Sequence, residues 1–87
     1  MLKLWSDNAW DDYLYWQGQD KKTLRKINTL IKDIDRNGYE CEGHLEPLSG
    51  DLAGFYSVHI DRKNRIVFRI DNGILEISQC GSHYRDK

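Results

Sequence analysis

The spacing of apolar residues changes once along this chain, and that change constrains the fold more than any other feature. One segment repeats apolar residues at the spacing of a single helix face: Leu24, Ile27, Leu30, Ile31 and Ile34. From residue 55 onward large and small side chains alternate instead, in three runs at residues 55–60, 65–70 and 74–80. Such alternation is typical of strands with one buried face. Helices followed by consecutive strands predict an α+β protein.

The helical half has recognisable boundaries. Residues 2–5 are rich in apolar side chains and predict a first strand, after which Ser6 can cap a helix that ends near Gly18. We interpret its aromatic stripe as part of the core rather than as a platform for stacking bases, because aromatics at helical spacing usually pack inward. That stripe consists of Trp10, Tyr13, Leu14 and Gln17. A second helix should begin at Asp20 and stop at Asn37-Gly38, which makes a helical hairpin.

The strand half is joined by turns. Residues 61–64 are polar and suit a hairpin loop, and Asn72-Gly73 is a strong type I′ signal. Three consecutive antiparallel strands follow, and the first strand can join them. Residues 39–54, which contain the only proline, Pro47, are interpreted as a loop. We therefore expect one domain, residues 1–87, with a two-helix hairpin packed on a small, mainly antiparallel four-stranded sheet.

Alternation also predicts which residues of the middle strand face away from the helices. Ile66, Phe68 and Ile70 share one side, and Arg65, Val67 and Arg69 share the other. If the apolar side meets the helices, Arg65 and Arg69 point toward an approaching phosphate.

Composition excludes some classes of function and leaves others open. The 87 residues fit one domain, and the formal net charge of −1 does not by itself indicate a nucleic-acid binder. No apolar run is long enough for a membrane span, so we expect a cytoplasmic protein with no membrane contact. Cys41 and Cys80 lack the spacing of a metal site even with His44 and His59 considered, and free thiols are expected.

Four residues together could cleave RNA without a metal. Glu46 offers a carboxylate that can accept a proton, His83 an imidazole that can donate one, and Arg65 a guanidinium that can hold a phosphate, with Tyr84 beside the imidazole. Each of these residues alone is more often an ordinary surface or packing residue.

Motifs distributed from the first strand to the tail give these residues more weight. They are Trp5-Ser6, residues 9–17, Lys26-Ile27-Asn28, residues 30–33, Glu46-Pro47-Leu48, Leu52 with Gly54-Phe55, Asn64-Arg65-Ile66-Val67 and His83-Tyr84. In this order they closely resemble the YoeB/Txe toxins, a branch of the RelE superfamily of bacterial toxin–antitoxin systems. The Trp-Asp-Asp-Tyr-Leu-Tyr-Trp run of residues 10–16 and the terminal His-Tyr pair are the most specific of these motifs.

The resemblance implies a microbial-ribonuclease-like fold and an endoribonuclease that cleaves mRNA in the A site of the 70S ribosome. It implies that Glu46 is the general base, His83 the general acid, Arg65 the residue that holds the scissile phosphate, and Tyr84 a supporting residue. The products would be a 2′,3′-cyclic phosphate and a 5′-hydroxyl, with no cofactor and no metal. The implied partners are a YefM/Axe-type antitoxin, promoter DNA bound through that antitoxin, and a second copy in a homodimer.

The chain departs from the family pattern at several positions. Val58 and His59 stand where the family often has consecutive arginines, and His44 and Ser49 replace lysines beside the Glu-Pro-Leu motif. The remaining candidates for RNA contact are Arg65, Arg69, His59 and His44. Fewer phosphate contacts predict weaker RNA binding.

A second interpretation therefore stays open, that of a catalytically weakened relative acting mainly as antitoxin-binding partner and transcriptional co-repressor. We favour the active enzyme, because all four catalytic candidates are present. The tail, Arg85-Asp86-Lys87, extends past the usual end of the family, and we expect it to be idle.

Overall fold

A computed structural model describes residues 1–82, with the backbone alone at Ser82. The helices and strands are, in chain order, β1 (Leu2–Trp5), α1 (Asp7–Gln19), α2 (Lys21–Asn37), β2 (Glu46–Pro47), β3 (Tyr56–His59), β4 (Asn64–Asp71) and β5 (Ile74–Ser82). Single turns of 3-10 helix lie at Gly38–Glu40 and Gly50–Leu52. The predicted order of one strand, two helices and later strands is confirmed.

Side-chain caps set the helix boundaries. Ser6 is the residue before α1, and its Oγ accepts a hydrogen bond from the Ala9 N–H at 3.0 Å. The Asp20 carboxylate accepts from the N–H groups of Lys22 and Thr23, both at 3.1 Å, so α2 starts almost where α1 ends. Gly38 follows α2 with φ +61°, a conformation that glycine adopts without steric cost.

The sheet has five strands in the order β1-β5-β4-β3-β2. β1 runs parallel to β5, and the other neighbours are antiparallel. The prediction of a mainly antiparallel sheet is confirmed, but the prediction of four strands is wrong. The additional strand is β2, in the segment interpreted as a loop, where Glu46 pairs with Ser57 and Pro47 with Tyr56. Two residues are too few to show alternation, and an edge strand tolerates proline.

The two predicted turns are present. Asn72 and Gly73 have φ values of 53° and 76°, as a type I′ turn requires. In the loop between β3 and β4, one Asp61 carboxylate oxygen accepts from the N–H groups of Lys63 and Asn64, both at 2.8 Å. These local bonds fix the hairpin that carries Arg65.

The core lies between α2 and one side of the sheet. The helix buries Ile27, Leu30, Ile31 and Ile34 against strand residues that include Val58, Ile60, Ile66, Phe68, Leu75 and Ile77. Because each strand contributes alternate residues, the intervening ones lie on the opposite side of the sheet. The predicted apolar face of α2 is confirmed in its central residues.

The predicted core face of α1 is wrong in part. Trp10 is 45% exposed and Leu14 is 44% exposed, whereas Ala9 and Asp12 are buried. Trp10 forms the outer member of an aromatic cluster with Trp5 and Tyr13, with ring centroids 5.0–5.9 Å apart. The face of α1 that packs on β5 carries the small Ala9 and the polar Asp12 rather than the aromatic stripe.

A β-bulge interrupts the ladder between β4 and β5. Val67 pairs with Gln79 whereas Phe68 pairs with Ile77, so Ser78 is an extra residue on β5. Strict alternation would place Ile77 and Cys80 on opposite sides, but the bulge allows both to enter the core. The Ser6 hydroxyl donates to the Ser78 carbonyl at 2.7 Å and secures the bulge to the start of α1.

Cys41 and Cys80 are free thiols in this structure, Cys41 partly buried and Cys80 fully buried. Burial raises the pKa of the Cys41 thiol, and the nearby Asp33 carboxylate raises it further. Within the range 1–82, neither α1 nor α2 combines the length and the apolar composition needed to cross a bilayer.

Candidate active site

The surface of the sheet opposite the core, here called the open face, collects several of the predicted site residues. Directly paired residues on neighbouring strands point to the same side of a sheet. Glu46 on β2 pairs with Ser57 on β3, Ser57 pairs with Val67 on β4, and His59 pairs with Arg65. Glu46, His59 and Arg65 therefore share the open face, with Ser57 between them.

Glu46 is held by a strand rather than by a loop. Its backbone belongs to β2, and just beyond that strand the Leu48 N–H donates to the Phe55 carbonyl at 2.9 Å. The Glu46 side chain is exposed. Pairing of β2 with β3 therefore fixes the position of the Glu46 backbone.

Arg65 lies across β3 from Glu46. Strands are spaced about 4.8 Å apart, so the backbones of β2 and β4 are roughly 10 Å apart. The Arg65 guanidinium Nη1 donates to the Ser57 Oγ at 3.4 Å, and Ser57 is only 1% exposed. The arginine side chain thus reaches toward the strand position that pairs with Glu46. Sequence reasoning did not find Ser57, since a single serine in a strand carries no signal.

Neither charge at this position is neutralised by a nearby residue of the described chain. The ion pairs among residues 1–82 join Asp35 to the N-terminus and to Lys3, and Arg69 to Glu76. Glu46 and Arg65 form none with another residue in this range. A carboxylate and a guanidinium on one surface are therefore available to act on a ligand placed between them.

Arg69 differs from Arg65. Its Nε donates to a Glu76 carboxylate oxygen at 2.9 Å, and its guanidinium carbon lies 4.9 Å from the centre of the Phe55 ring. Arg69 does face away from the core, as alternation predicted. Its charge is already compensated by Glu76, which reduces its attraction for a phosphate.

The two substituted positions of β3 face in opposite directions. Val58 is 3% exposed and belongs to the core, next to Leu30 and Gly43. His59 is exposed and lies beside Arg65 on the open face. Only position 59 therefore bears on the charge of the site. His44 is also exposed, two residues before Glu46 and outside any strand.

The remaining two candidates, His83 and Tyr84, lie outside the described residues. The end of β5, which directly precedes them in the chain, lies beside Arg65, because Gly81 pairs with Arg65 and Ser82 pairs with Asn64. The position of this strand end is therefore part of the geometry of the site.

Asp12 of α1 anchors the end of β5. It is 3% exposed, and its Oδ2 accepts from the Cys80 N–H at 3.0 Å. The Trp16 Nε1 donates to the Cys80 carbonyl at 2.8 Å. A Cβ at Gly81 would lie 3.2–3.3 Å from the Asp12 carboxylate, so glycine permits this close approach. Sequence reasoning missed this support, because Asp12 resembles one more member of an acidic surface.

Comparison with known proteins identifies the family of this chain. The model of the YoeB-like toxins of bacterial type II toxin–antitoxin systems matches residues 5–84. This chain belongs to that family. Toxin YoeB of Escherichia coli K12 is 45% identical over 84 residues, which cover 97% of this chain and 100% of the relative.

Solved YoeB structures have the same fold. A YoeB/ParE toxin from Agrobacterium tumefaciens superimposes with a TM-score of 0.90 at 40% identity, covering 97% of this chain and 100% of that one. YoeB of Staphylococcus aureus has been solved in a complex with YefM, with a TM-score of 0.87 at 41% identity, and as a dimer, with a TM-score of 0.86 at 41% identity. These matches cover 97% of this chain and 99% and 98% of the Staphylococcus chains. The predicted family is confirmed.

The potential metal ligands of this YoeB-like toxin do not converge. In the part of the chain that the structure describes, no three His, Cys, Asp or Glu side chains are placed to hold a metal ion. Cys41, Cys80, His44 and His59 therefore form no such site. The open face offers the carboxylate of Glu46 and the guanidinium of Arg65.

Proposed function

We propose that this protein is an endoribonuclease that cleaves mRNA in the A site of the 70S ribosome and so inhibits translation. Its single toxin domain would span residues 1–87. The observation that carries the proposal is the placement of Glu46 and Arg65 on adjacent parts of the open face, with neither in an ion pair among residues 1–82.

The proposed reaction is an internal phosphoryl transfer. Glu46 takes the proton of the 2′-hydroxyl, whose oxygen attacks the adjacent phosphorus, and Arg65 stabilises the charge that develops on the phosphate oxygens. His83 donates a proton to the departing 5′-oxygen, and Tyr84 supports the site. The P–O5′ bond breaks as the new P–O2′ bond forms, which leaves a 2′,3′-cyclic phosphate and a 5′-hydroxyl. This route uses no cofactor.

The proposed partners follow from the family. We infer that a YefM/Axe-type antitoxin covers the open face with its C-terminal segment and recruits the complex to promoter DNA. The YefM complex and the dimer of the Staphylococcus aureus relative support an antitoxin partner and a homodimer for this chain. All of these encounters would take place in the cytoplasm.

The decisive experiment adds the purified protein to translating ribosomes and to naked RNA and maps the new RNA ends. We expect cleavage on ribosomes, unchanged by EDTA, with cyclic-phosphate and 5′-hydroxyl ends. E46A and H83A should each slow cleavage by about two to four powers of ten, the usual contribution of a positioned proton-transfer group. Loss of cutting in EDTA, or products with plain 3′-hydroxyl ends, would refute the mechanism.

One observation favours a second candidate, a weakened relative that serves as antitoxin partner and co-repressor. The exposed His59 stands beside Arg65 where the family often has an arginine, and a histidine side chain lacks the permanent positive charge of a guanidinium. The substitution at position 58 does not support this candidate, because Val58 is buried and a side chain there does not reach the open face. Growth arrest on expression without antitoxin would exclude this candidate, whereas harmless expression of soluble protein would support it.

A further inference from the structure

The last part of β5 has a strand neighbour on one edge only. β1 pairs with β5 from Ile74 to Ile77 and continues no further. On the other edge the pairing with β4 extends to Gly81 and Ser82. The outer edge of residues 78–82 therefore carries backbone N–H and C=O groups that no described strand binds. Where those groups are buried, they need another hydrogen-bond partner.

Side chains of α1 bind these groups at Cys80. This residue is fully buried, and its N–H donates to the Asp12 Oδ2 at 3.0 Å. Its carbonyl accepts from the Trp16 Nε1 at 2.8 Å, and its Sγ donates to the Ala9 carbonyl at 3.5 Å. The N–H and the C=O of one strand residue are thus both bound, as a neighbouring strand would bind them. Two side chains of a helix take the role of an edge strand.

A buried carboxylate is an unusual way to close a strand edge. Asp12 is 3% exposed, whereas its neighbour Asp11 is exposed. Taking an ionised group out of water is unfavourable, so aspartate is almost never fully buried unless it is paired or hydrogen-bonded. A hydrogen bond to a charged acceptor is, however, roughly twice as strong as a neutral one. The ladder with β4 already holds the other edge, so the carboxylate adds a second, firm hold at the end of β5.

The end of β5 leads directly to the proposed general acid. Gly81 pairs with Arg65, and His83 is two residues further along the chain. We propose that Asp12 and Trp16 are positioning residues for catalysis. By holding the backbone at the end of β5, they fix where the segment that carries His83 begins relative to Arg65. They act through His83, since the buried Asp12 does not reach an RNA on the open face. This inference rests on the proposed nuclease function.

The first test measures kcat and KM for mRNA cleavage on ribosomes, with each variant assayed well below its own Tm. A misplacement of about 1 Å can cost about a hundredfold in rate, so D12A should lower kcat roughly tenfold to a hundredfold with KM unchanged. W16F removes one donor and keeps an aromatic ring, so it should lower kcat less, by about two- to tenfold. The matched control is D11A, which should cleave as the wild type does because Asp11 is exposed.

Double variants separate positioning from a general loss of structure. In an H83A background, D12A should lower kcat little further, because the group that it positions is absent. In an S57A background, which perturbs the support of Arg65, D12A should keep its full effect. Equal further losses in the two backgrounds would overturn the proposal, because they would make Asp12 a purely structural residue. So would a D12A protein with unchanged kcat, or one in which only KM rises.

A second measurement does not depend on cleavage. The chain has three histidines, His44, His59 and His83, whose imidazole C2–H resonances can be followed by NMR. D12A and W16F should shift or broaden the His83 resonance and leave those of His44 and His59 as in the wild type. An unchanged His83 resonance in both variants would overturn the proposal. If that resonance responded but the wild type never cleaved mRNA, the nuclease would be wrong while the hold on the His83 segment stood.

Discussion

The backbone at Gly43, three residues before β2, lies close against the side chain of Val58. This close approach predicts the effect of adding a single methyl group at position 43. A Cβ at position 43 would lie 2.8 Å from Val58 Cγ2 and 3.7 Å from Leu30 Cδ2. Carbon atoms pack at about 3.5–4.0 Å. Val58 is buried and branched at Cβ, so it has little rotamer freedom with which to yield. The backbone that leads to Glu46 would have to shift instead.

The magnitude of G43A is the balance of two effects. Gly43 is not among the glycines with positive φ, so alanine fits its backbone and should gain about 0.4–1 kcal/mol from reduced entropy of the unfolded chain. Overpacking of a filled core costs about 1–3 kcal/mol. We expect a net loss of roughly 1–2 kcal/mol, and a domain of this size loses about 4–8 °C of Tm per kcal/mol.

Urea unfolding of G43A and G18A measures this balance with a control from the same chain. Gly18 is exposed within α1, and a Cβ added there would have no neighbouring atom within 4 Å, so G18A should stabilise the protein by about 0.5–1 kcal/mol. V58A removes the clashing methyl, and in that background the cost of G43A should shrink by about 1 kcal/mol. A G43A protein as stable as the wild type, or an unchanged cost in the V58A background, would refute the reasoning.

Three further changes test other parts of the structure. S6A removes both the cap of α1 and the hydroxyl that donates to the Ser78 carbonyl, and should cost about 1–2 kcal/mol in urea unfolding, whereas S6T, which keeps a hydroxyl for both bonds, should cost much less. S57A removes the acceptor of the Arg65 guanidinium and should lower kcat for ribosomal cleavage about two- to tenfold at similar Tm; an unchanged kcat would mean that Arg65 needs no such support. The side-chain hydrogen bond from Thr23 and the backbone bonds at the same cap hold the pKa of Asp20 below its ordinary 3.8. A carboxylate whose pKa is lower in the folded than in the unfolded state stabilises the protein above the unfolded pKa, and this stability is lost as the pH falls through the folded pKa. Urea unfolding at neutral and at acid pH should therefore show a larger loss of stability on acidification for the wild type than for D20N, and equal losses would contradict the role of this cap.

The features that the sequence predicts correctly depend on neighbours in the chain. Ser6 and Asp20 cap helices through N–H groups two or three residues away, and Asn72-Gly73 forms its turn within four residues. The apolar face of α2 is set by helical spacing alone. In each case the residues that determine the structure lie within one window of sequence, so their pattern can be read without knowing the fold.

The features that the sequence misses depend on residues far apart in the chain. Asp12 is buried because it accepts the N–H of Cys80, 68 residues away. The bulge at Ser78 and the pairing of Glu46 with Ser57 likewise appear only when distant strands meet. The same limit applies to the site, where Glu46 and Arg65 could be proposed from motifs but Ser57, between them, could not.

The shared orientation of Glu46 and Arg65 depends on the register of β3. A slip of one residue in that strand would turn Ser57 and His59 into the core and bring Val58 and Ile60 to the open face. Burial of Val58 and Ile60 opposes the slip, and the Asp61 bonds to the hairpin backbone fix the turn that sets the register. The buried Val58 and Ile60 therefore help to fix the orientation of the site residues without contacting them. An arginine at position 58 would have to leave the core to reach an RNA, so valine there strengthens the register without removing charge from the open face.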